Sequence, residues 1–502
     1  MRVTVAPRHA GLLLAILATG AGLRVRELGA SSLWLDEFFA LENSTGRGFE
    51  HWRLPPGHVI EKPPALTSLE GAEPAWRIWA SLRGDTHPPL HFILLRFWRE
   101  AFGEGDVAAR SLSLLFGMVS LPLLFVLARR LAGDVPALWS TLLMAVSPLH
   151  VRYAQEARNY TMALCLVLGA ALVLVPAVPK PMGRRGVVLL SLLVLASALT
   201  HYFALPVLAM LALFALVRPG GAQGRRRVLM ALALAAAPFL VLWGPELLAQ
   251  RLNFREHFQI EGLEGHSLLT LRRWLALPVW FLEGTPVPPE PLAWEVALGA
   301  VCHLAPLLVL RQRRDLLLPA LWLTGATLLL ASVDLWRGNA TLAVPRYPLL
   351  ASPGLFLVLG AAARGRRLGS VLPAAGLALA TAHLGWAYGG KADWREVAAF
   401  VRHGMRPGEV LVVDFESQSR WIPATKYLAL SHYLGRACPP VLLLDGPVAA
   451  KARTRLEEAG VAWVLTKSGE GTFADRLGGC ATGQVVEFPD VGVMAEVSFL
   501  GS

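Results

Sequence analysis

The feature that most constrains this chain is the recurrence of apolar runs about 15–20 residues long, most of them closed by arginine. A helical run of that length matches the hydrocarbon core of a bilayer. The 502 residues are 54% hydrophobic and only 17% charged, against about 25% charged in an ordinary soluble chain. The pattern predicts a polytopic α-helical membrane protein. The net charge of +11 does not point to nucleic acid, because the basic residues stand in short clusters between apolar runs rather than in a stripe.

The first run, Ala10 to Leu23, follows Arg2 and Arg8 and precedes Arg24 and Arg26. No small-x-small cleavage pattern ends it, so an uncleaved helix is expected rather than a signal peptide. A long first loop, about 29–107, comes next. It holds Trp34-Leu35-Asp36-Glu37, a Pro-rich middle, and Thr86-His87-Pro88-Pro89-Leu90. The apolar patch Leu90–Phe102 that closes it carries Arg96, Arg99 and Glu100. It is too short and too charged to span, and reads as an interfacial helix.

Ten further segments are expected, at about 110–127, 136–148, 160–178, 187–199, 202–217, 228–247, 292–310, 316–333, 344–363 and 368–388. With the N-terminus cytoplasmic, the clusters Arg129-Arg130, Lys180 with Arg184 and Arg185, Arg218 with Arg225 to Arg227, Arg311 with Arg313 and Arg314, and Arg364 with Arg366 and Arg367 all fall inside. The opposite parity puts nearly all of them outside. About eleven helices, N-terminus in and C-terminus out, follow from that bias.

After residue 388 the character changes. Asp393 and the residues after it form a capped amphipathic helix start, Arg455–Ala459 is helical, and Val410–Val413, Val441–Leu444 and Ala462–Leu465 read as short buried strands. Residues 389–502 are therefore expected to be a small α/β domain on the non-cytoplasmic face, beside a membrane domain of residues 1–388. Cys165 and Cys302 lie in apolar runs as small core residues. Cys438 and Cys480 lie in the tail and could pair if it meets an oxidising compartment.

This topology gathers polar groups on the outer boundary from loops far apart in sequence: Asp36, Glu37, His87, Arg110, Glu156, Arg158, Tyr160, His201, Tyr202, Arg346 and Tyr347. Each has an ordinary explanation. An acid at a helix start is a cap, His-Pro-Pro is a rigid turn, and arginine or tyrosine at a helix end anchors to the interface. Their shared side is what the ordinary explanations leave out. Arginine holds phosphate oxygens bidentately and stays charged, and a carboxylate can take the proton of an attacking hydroxyl. The set suits a reaction on a lipid-linked phosphate. No P-loop or dinucleotide fingerprint is present, and a sugar on a polyprenyl phosphate needs none.

These motifs, in this order, resemble the integral-membrane GT-C glycosyltransferases of the protein mannosyltransferase and aminoarabinose transferase superfamily. The matching pieces are Trp34-Leu35-Asp36-Glu37, His87-Pro88-Pro89-Leu90, Arg110 with the run ending Arg129-Arg130, Ser147-Pro148 through Gln155-Glu156-Ala157-Arg158-Asn159-Tyr160, His201-Tyr202, and Arg346-Tyr347 with Pro353. They cover roughly residues 10–390. Glu61-Lys62-Pro63-Pro64 imitates the His87 motif but lacks the amphipathic run behind it.

The resemblance implies a GT-C fold in a bacterial inner membrane and an inverting sugar transfer at the periplasmic face. The donor would be a polyprenyl-phosphate sugar and the acceptor a protein, lipid or glycan. It makes Asp36 the general base, with Glu37 beside it. Arg158 and Arg346 would be the donor-phosphate ligands, with Arg110 secondary. His87, Glu156, Tyr160, His201, Tyr202 and Tyr347 would line the sugar or acceptor site, and a divalent metal is left open. A transporter or flippase is the competing expectation. It would show repeat symmetry and mid-helix ionisable groups, whereas here those groups stand mostly at the outer boundary.

Overall fold

The structure, a computed structural model, describes residues 7–175, 182–217, 221–257, 267–284, 290–364, 367–414, 422–444, 448–467, 476–477 and 480–499. Arg2, Lys180, Arg218 and Arg366 lie outside the described residues. Two compact units are present: residues 1–28, 85–91 and 110–389 form one, and residues 29–84, 92–109 and 390–502 the other.

The first unit is helical, because its sequence is a series of apolar runs that satisfy their own backbone only by coiling. Three helices among the described residues are long and apolar enough to cross a membrane: Asp106–Ala132, Gly221–Leu252 and Arg314–Arg337. Other apolar helices, among them Asp134–Val146, Tyr160–Leu174, Ala204–Val217, Ala293–Leu308 and Val371–Ala382, run 10–17 residues. Proline and tight turns set several of the boundaries. The expected run 344–363 divides into a 3-10 turn, Pro348–Ala351, and a helix, Ser352–Ala362. The Gly221–Leu252 run passes through a π turn at Phe239–Trp243, just after Pro238, where the missing N–H interrupts the ladder.

In the helical unit one further helix appears that the sequence reading did not place. What reads as a long loop between the seventh and eighth runs contains a helix, Ser267–Glu283. Arg272, Arg273 and Pro278 break its apolar signal, yet its buried face packs inward from Thr270 through Phe281. It lies so close to Ala293–Leu308 that a Cβ on Gly299 would meet the Leu275 carbonyl oxygen at 1.8 Å. Small residues at such crossings let backbones approach where no hydrophobic force drives helices together.

The second unit is an α/β layer. Its six strands are β1 (Val59–Ile60), β2 (Val410–Val413), β3 (Val441–Leu443), β4 (Val461–Thr466), β5 (Cys480–Phe488) and β6 (Gly492–Phe499), in the order β1-β3-β2-β4-β6-β5. The β3-β2-β4 centre is parallel and apolar throughout, as a sheet covered on both faces must be. β1 joins antiparallel at one edge, pairing Val59 with Leu442. So the first loop supplies a strand to the sheet of the tail. The Trp394–Gly404 helix is capped by Asp393, whose side chain accepts from the backbone N–H groups of Arg395 (3.1 Å) and Glu396 (3.3 Å). No disulfide joins Cys438 and Cys480.

A helix forms at Leu90–Phe102, with the bounds expected. Phe92 and Leu95 face inward, and two arginines are buried with them. Arg99 is buried and donates to the carbonyls of Leu41 (3.1 Å) and Thr67 (2.6 Å) and to Ser44 Oγ (2.8 Å). Arg96 reaches the Glu73 carbonyl (3.2 Å) and Glu100 (2.6 Å). Phe97 and Phe102 are exposed instead. The two guanidinium groups donate to carbonyls of the first loop and of the last turn of the Leu35–Asn43 helix, which ties those segments to the Leu90–Phe102 helix.

Candidate active site

Asp36 and Glu37 occupy the first turn of the helix Leu35–Asn43 in the second unit. Their environments differ sharply. Glu37 is fully buried, and its Oε2 accepts from Lys391 Nζ (3.0 Å) and from the Trp34 backbone N–H (3.1 Å). Asp36 is only partly buried. A buried carboxylate must be paired, so Glu37 is committed to structure, while Asp36 keeps access to solvent.

In the first unit the residues around His87 form a linked set. The ring of His87 lies between Asp85 and Arg158: Nδ1 is 2.8 Å from Asp85 Oδ1, and Nε2 is 3.2 Å from Arg158 Nη2. Asp85 Oδ1 also accepts from the Thr86 backbone N–H and, at 3.1 Å, from that of His87. Burial raises the Asp85 carboxyl, but the His87 ring, its hydrogen bond, the Thr86 N–H and Arg158 together outweigh it and hold the group below its ordinary value. Asp85 is therefore a carboxylate at neutral pH.

His201 stands edge-on to His87 with ring centroids 5.5 Å apart, and 5.1 Å from the ring of Tyr160. Phe203 bridges His201 (5.0 Å) to Tyr347 (5.1 Å), and the Arg346 guanidinium lies 5.2 Å from the Tyr347 ring. His201 Nδ1 accepts from the Phe203 backbone N–H (3.1 Å), so the neutral ring carries its proton on Nε2. That Nε2 is buried and has no hydrogen-bond partner among the described residues. Burial first, then the charges of His87 and Arg158, depress the imidazole well below its ordinary range. It is a neutral donor held in reserve.

Other expected site residues stand apart from this set. Glu156 is buried and accepts from Arg152 Nε (3.2 Å). Arg110 is buried and donates to the Leu28 carbonyl (2.9 Å). Tyr202 donates to Gln250 Oε1 (2.6 Å) and accepts from Trp243 Nε1 (2.7 Å). Gln250 in turn donates to the His87 carbonyl (3.0 Å). The sequence reading missed Asp85, Phe203 and Gln250. For Asp85 a signal existed, since an aspartate two residues before a His-Pro turn is positioned to accept from the turn's own N–H groups. For Gln250, 163 residues from its partner, none did.

The donor set does not fit a metal. Among the described residues no group of three or more His, Cys, Asp or Glu is arranged to hold one. In the His87 set, Asp85 and both ring nitrogens are engaged with each other and with a guanidinium whose fixed positive charge opposes a second cation.

Residues 86–247 match the family model described as dolichyl-phosphate-mannose-protein mannosyltransferase. The match supports the superfamily resemblance read from the motifs. It covers about a third of the chain and takes in His87, Arg110, Arg158, Tyr160, His201 and Tyr202. Among solved structures, ArnT from Cupriavidus metallidurans in the apo state aligns at 15% identity over 97% of this chain and 98% of that one, with a TM-score of 0.48. The Archaeoglobus fulgidus oligosaccharyltransferase tethered to an acceptor peptide aligns at 13% identity over 91% and 69%, with a TM-score of 0.49. None of the curated proteins compared with the chain matches it.

Proposed function

We propose that the chain is a membrane glycosyltransferase that moves a sugar from a polyprenyl-phosphate donor to an acceptor hydroxyl. The observation that carries this reading is the linked set of Asp85, His87, Arg158 and His201, a guanidinium and a buried N–H donor within one ring-stacked cluster. The cluster falls within the stretch that matches the mannosyltransferase family. Arg158, with Arg346, holds the donor phosphate and stabilises the charge that grows on it as the sugar departs. His201 Nε2–H donates to the same substrate, and Tyr160, Tyr347 and His87 line the sugar.

In the transfer, Asp36 takes the proton of the acceptor hydroxyl as its oxygen bonds to the anomeric carbon. The bond from that carbon to the phosphate oxygen breaks, and its electrons leave with the polyprenyl phosphate. Attack opposite the departing phosphate inverts the anomeric centre. Asp36 is assigned this role over Glu37 because Glu37 is locked to Lys391. The reading sets the chain in a bacterial inner membrane, with the N-terminus cytoplasmic and residues 389–502 periplasmic.

The test is transfer from polyprenyl-phosphate sugars by the purified protein, with lipid-phosphate binding measured in parallel. Arg158→Ala and Arg346→Ala should each weaken binding of polyprenyl phosphate. Unchanged affinity in both variants overturns the phosphate assignment, and absence of transfer across hexosyl and pentosyl donors overturns the activity.

A further inference from the structure

We infer that Asp85 is a positioning residue for the donor-phosphate site, acting through His87 on Arg158. The inference rests on the proposed phosphate role of Arg158 and adds a residue that neither the motifs nor the family match singles out.

The chemistry of the three groups fixes the direction of each bond. A guanidinium only donates, so His87 Nε2, 3.2 Å from Arg158 Nη2, presents a lone pair. An ionised carboxylate only accepts, so Nδ1, 2.8 Å from Asp85 Oδ1, carries the proton. Asp85 thereby selects one of the two neutral tautomers of His87, and only that tautomer can receive Arg158. With the proton on Nε2 instead, an N–H faces an N–H and the guanidinium must turn away.

A capping role alone does not account for the arrangement. Asp85 accepts from the N–H groups of Thr86 and His87, as a turn aspartate would whatever side chain stood at 87. It goes on to engage the ring itself. The backbone of His87 is held separately, by Gln250 Nε2 on its carbonyl (3.0 Å), and Gln250 is braced by Tyr202 and Trp243. The main chain of His87 thus has a second restraint in Gln250, whereas the contact of Asp85 with Nδ1 acts on the ring alone. What remains for Asp85 to decide is which ring nitrogen bears the hydrogen, and so where Arg158 points.

Two measurements test this. In the full-length wild-type protein in detergent, nitrogen-15 spectra of labelled histidine, with His87 assigned by its loss in His87→Gln, should show the proton on Nδ1. A ring protonated on Nε2 overturns the inference whether or not any variant folds. The second is a mutant cycle on binding of undecaprenyl phosphate. Asp85→Asn, whose amide can donate to Nδ1 and drive the proton to Nε2, should weaken binding about tenfold and move the His87 resonances. The same change should add nothing in an Arg158→Ala background. If Arg158→Ala weakens binding but Asp85→Asn does not, or if the two losses add, the positioning role fails and the phosphate role of Arg158 stands. If Arg158→Ala itself leaves binding unchanged, both fall.

Discussion

Lys391 Nζ lies 3.0 Å from Glu37 Oε2, tying a residue at the start of the tail to a carboxylate 354 positions earlier. Both groups are inside, with side chains 8% and 0% exposed. The pair engages one of two adjacent acids and leaves the other only partly buried. It also sets how the helix Leu35–Asn43 responds to change.

Removing one partner of a buried ion pair leaves a charge without compensation and costs about 3–5 kcal/mol. Lys391→Met is therefore expected to lower the unfolding midpoint of the purified protein markedly. The double change Glu37→Gln with Lys391→Met should recover most of the loss. Equal destabilisation in the single and double variants would show that the ion pair is not what holds the helix.

Asp36→Asn should leave the unfolding midpoint unchanged, because the side chain is only partly buried. Transfer should fall by about 10²–10⁴-fold, the usual worth of a general base. Binding of polyprenyl phosphate should persist. Single-turnover transfer with saturating donor separates these effects, and normal turnover in the variant removes Asp36 from the mechanism.

His201→Phe retains an aromatic ring between Tyr160 and Phe203 but deletes the buried Nε2–H. The expected result is weaker donor binding without loss of fold, by about tenfold for one hydrogen bond to a charged oxygen. Isothermal titration with the lipid phosphate reads it directly. Unaltered affinity would mean that the donor meets water rather than substrate.

Acid should destabilise the first unit over a defined range. His91 is pushed down to about 3, by burial first and then by Arg158 and His87, and His201 is depressed for the same leading reason. The unfolded chain protonates such rings below about pH 6.5 while the folded chain does not. Their contribution is therefore complete above that value and is lost as pH falls below it, for His91 as far as about 3, at up to about 1.4 kcal/mol per pH unit. Asp85, also depressed, adds to the loss only below about pH 4. Unfolding midpoints from pH 8 to 4 should be flat and then fall, and His91→Phe should flatten part of the slope.

Much of the helical unit was legible because apolar runs state their own conformation. Leu90–Phe102 forms with the expected bounds, and the strand runs at 410, 441 and 461 take their places in the sheet. Hidden elements were those whose reason lies elsewhere in the chain. Ser267–Glu283 hides behind its arginines and proline, although one face is buried. β1 is two residues of loop that become a strand only because β3 offers an edge.

The candidate site divides in the same way. His87, Arg158, Tyr160, His201 and Tyr347 carry chemistry in their side chains and could be named from sequence. Their brought-together geometry could not, because the contacts join distant segments and Tyr347 meets His201 only through Phe203, an apolar residue that merely stacks. The separation of Asp36 from Glu37 was equally invisible. It is decided by Lys391, and no local pattern links positions so far apart.

The pairing of Val59 with Leu442 also has a consequence in time. Those residues are 442 − 59 = 383 positions apart, so at ordinary synthesis rates the loop emerges roughly 20–80 s before its strand partner exists. Lys391 is late as well. Until Lys391 is made the nascent chain carries Asp36 beside a buried acid with no counter-charge, and until Leu442 is made its strand has no edge to join. The acid is thus set in place by residues made hundreds of positions after it, and a ribosome that stops before them leaves it unset.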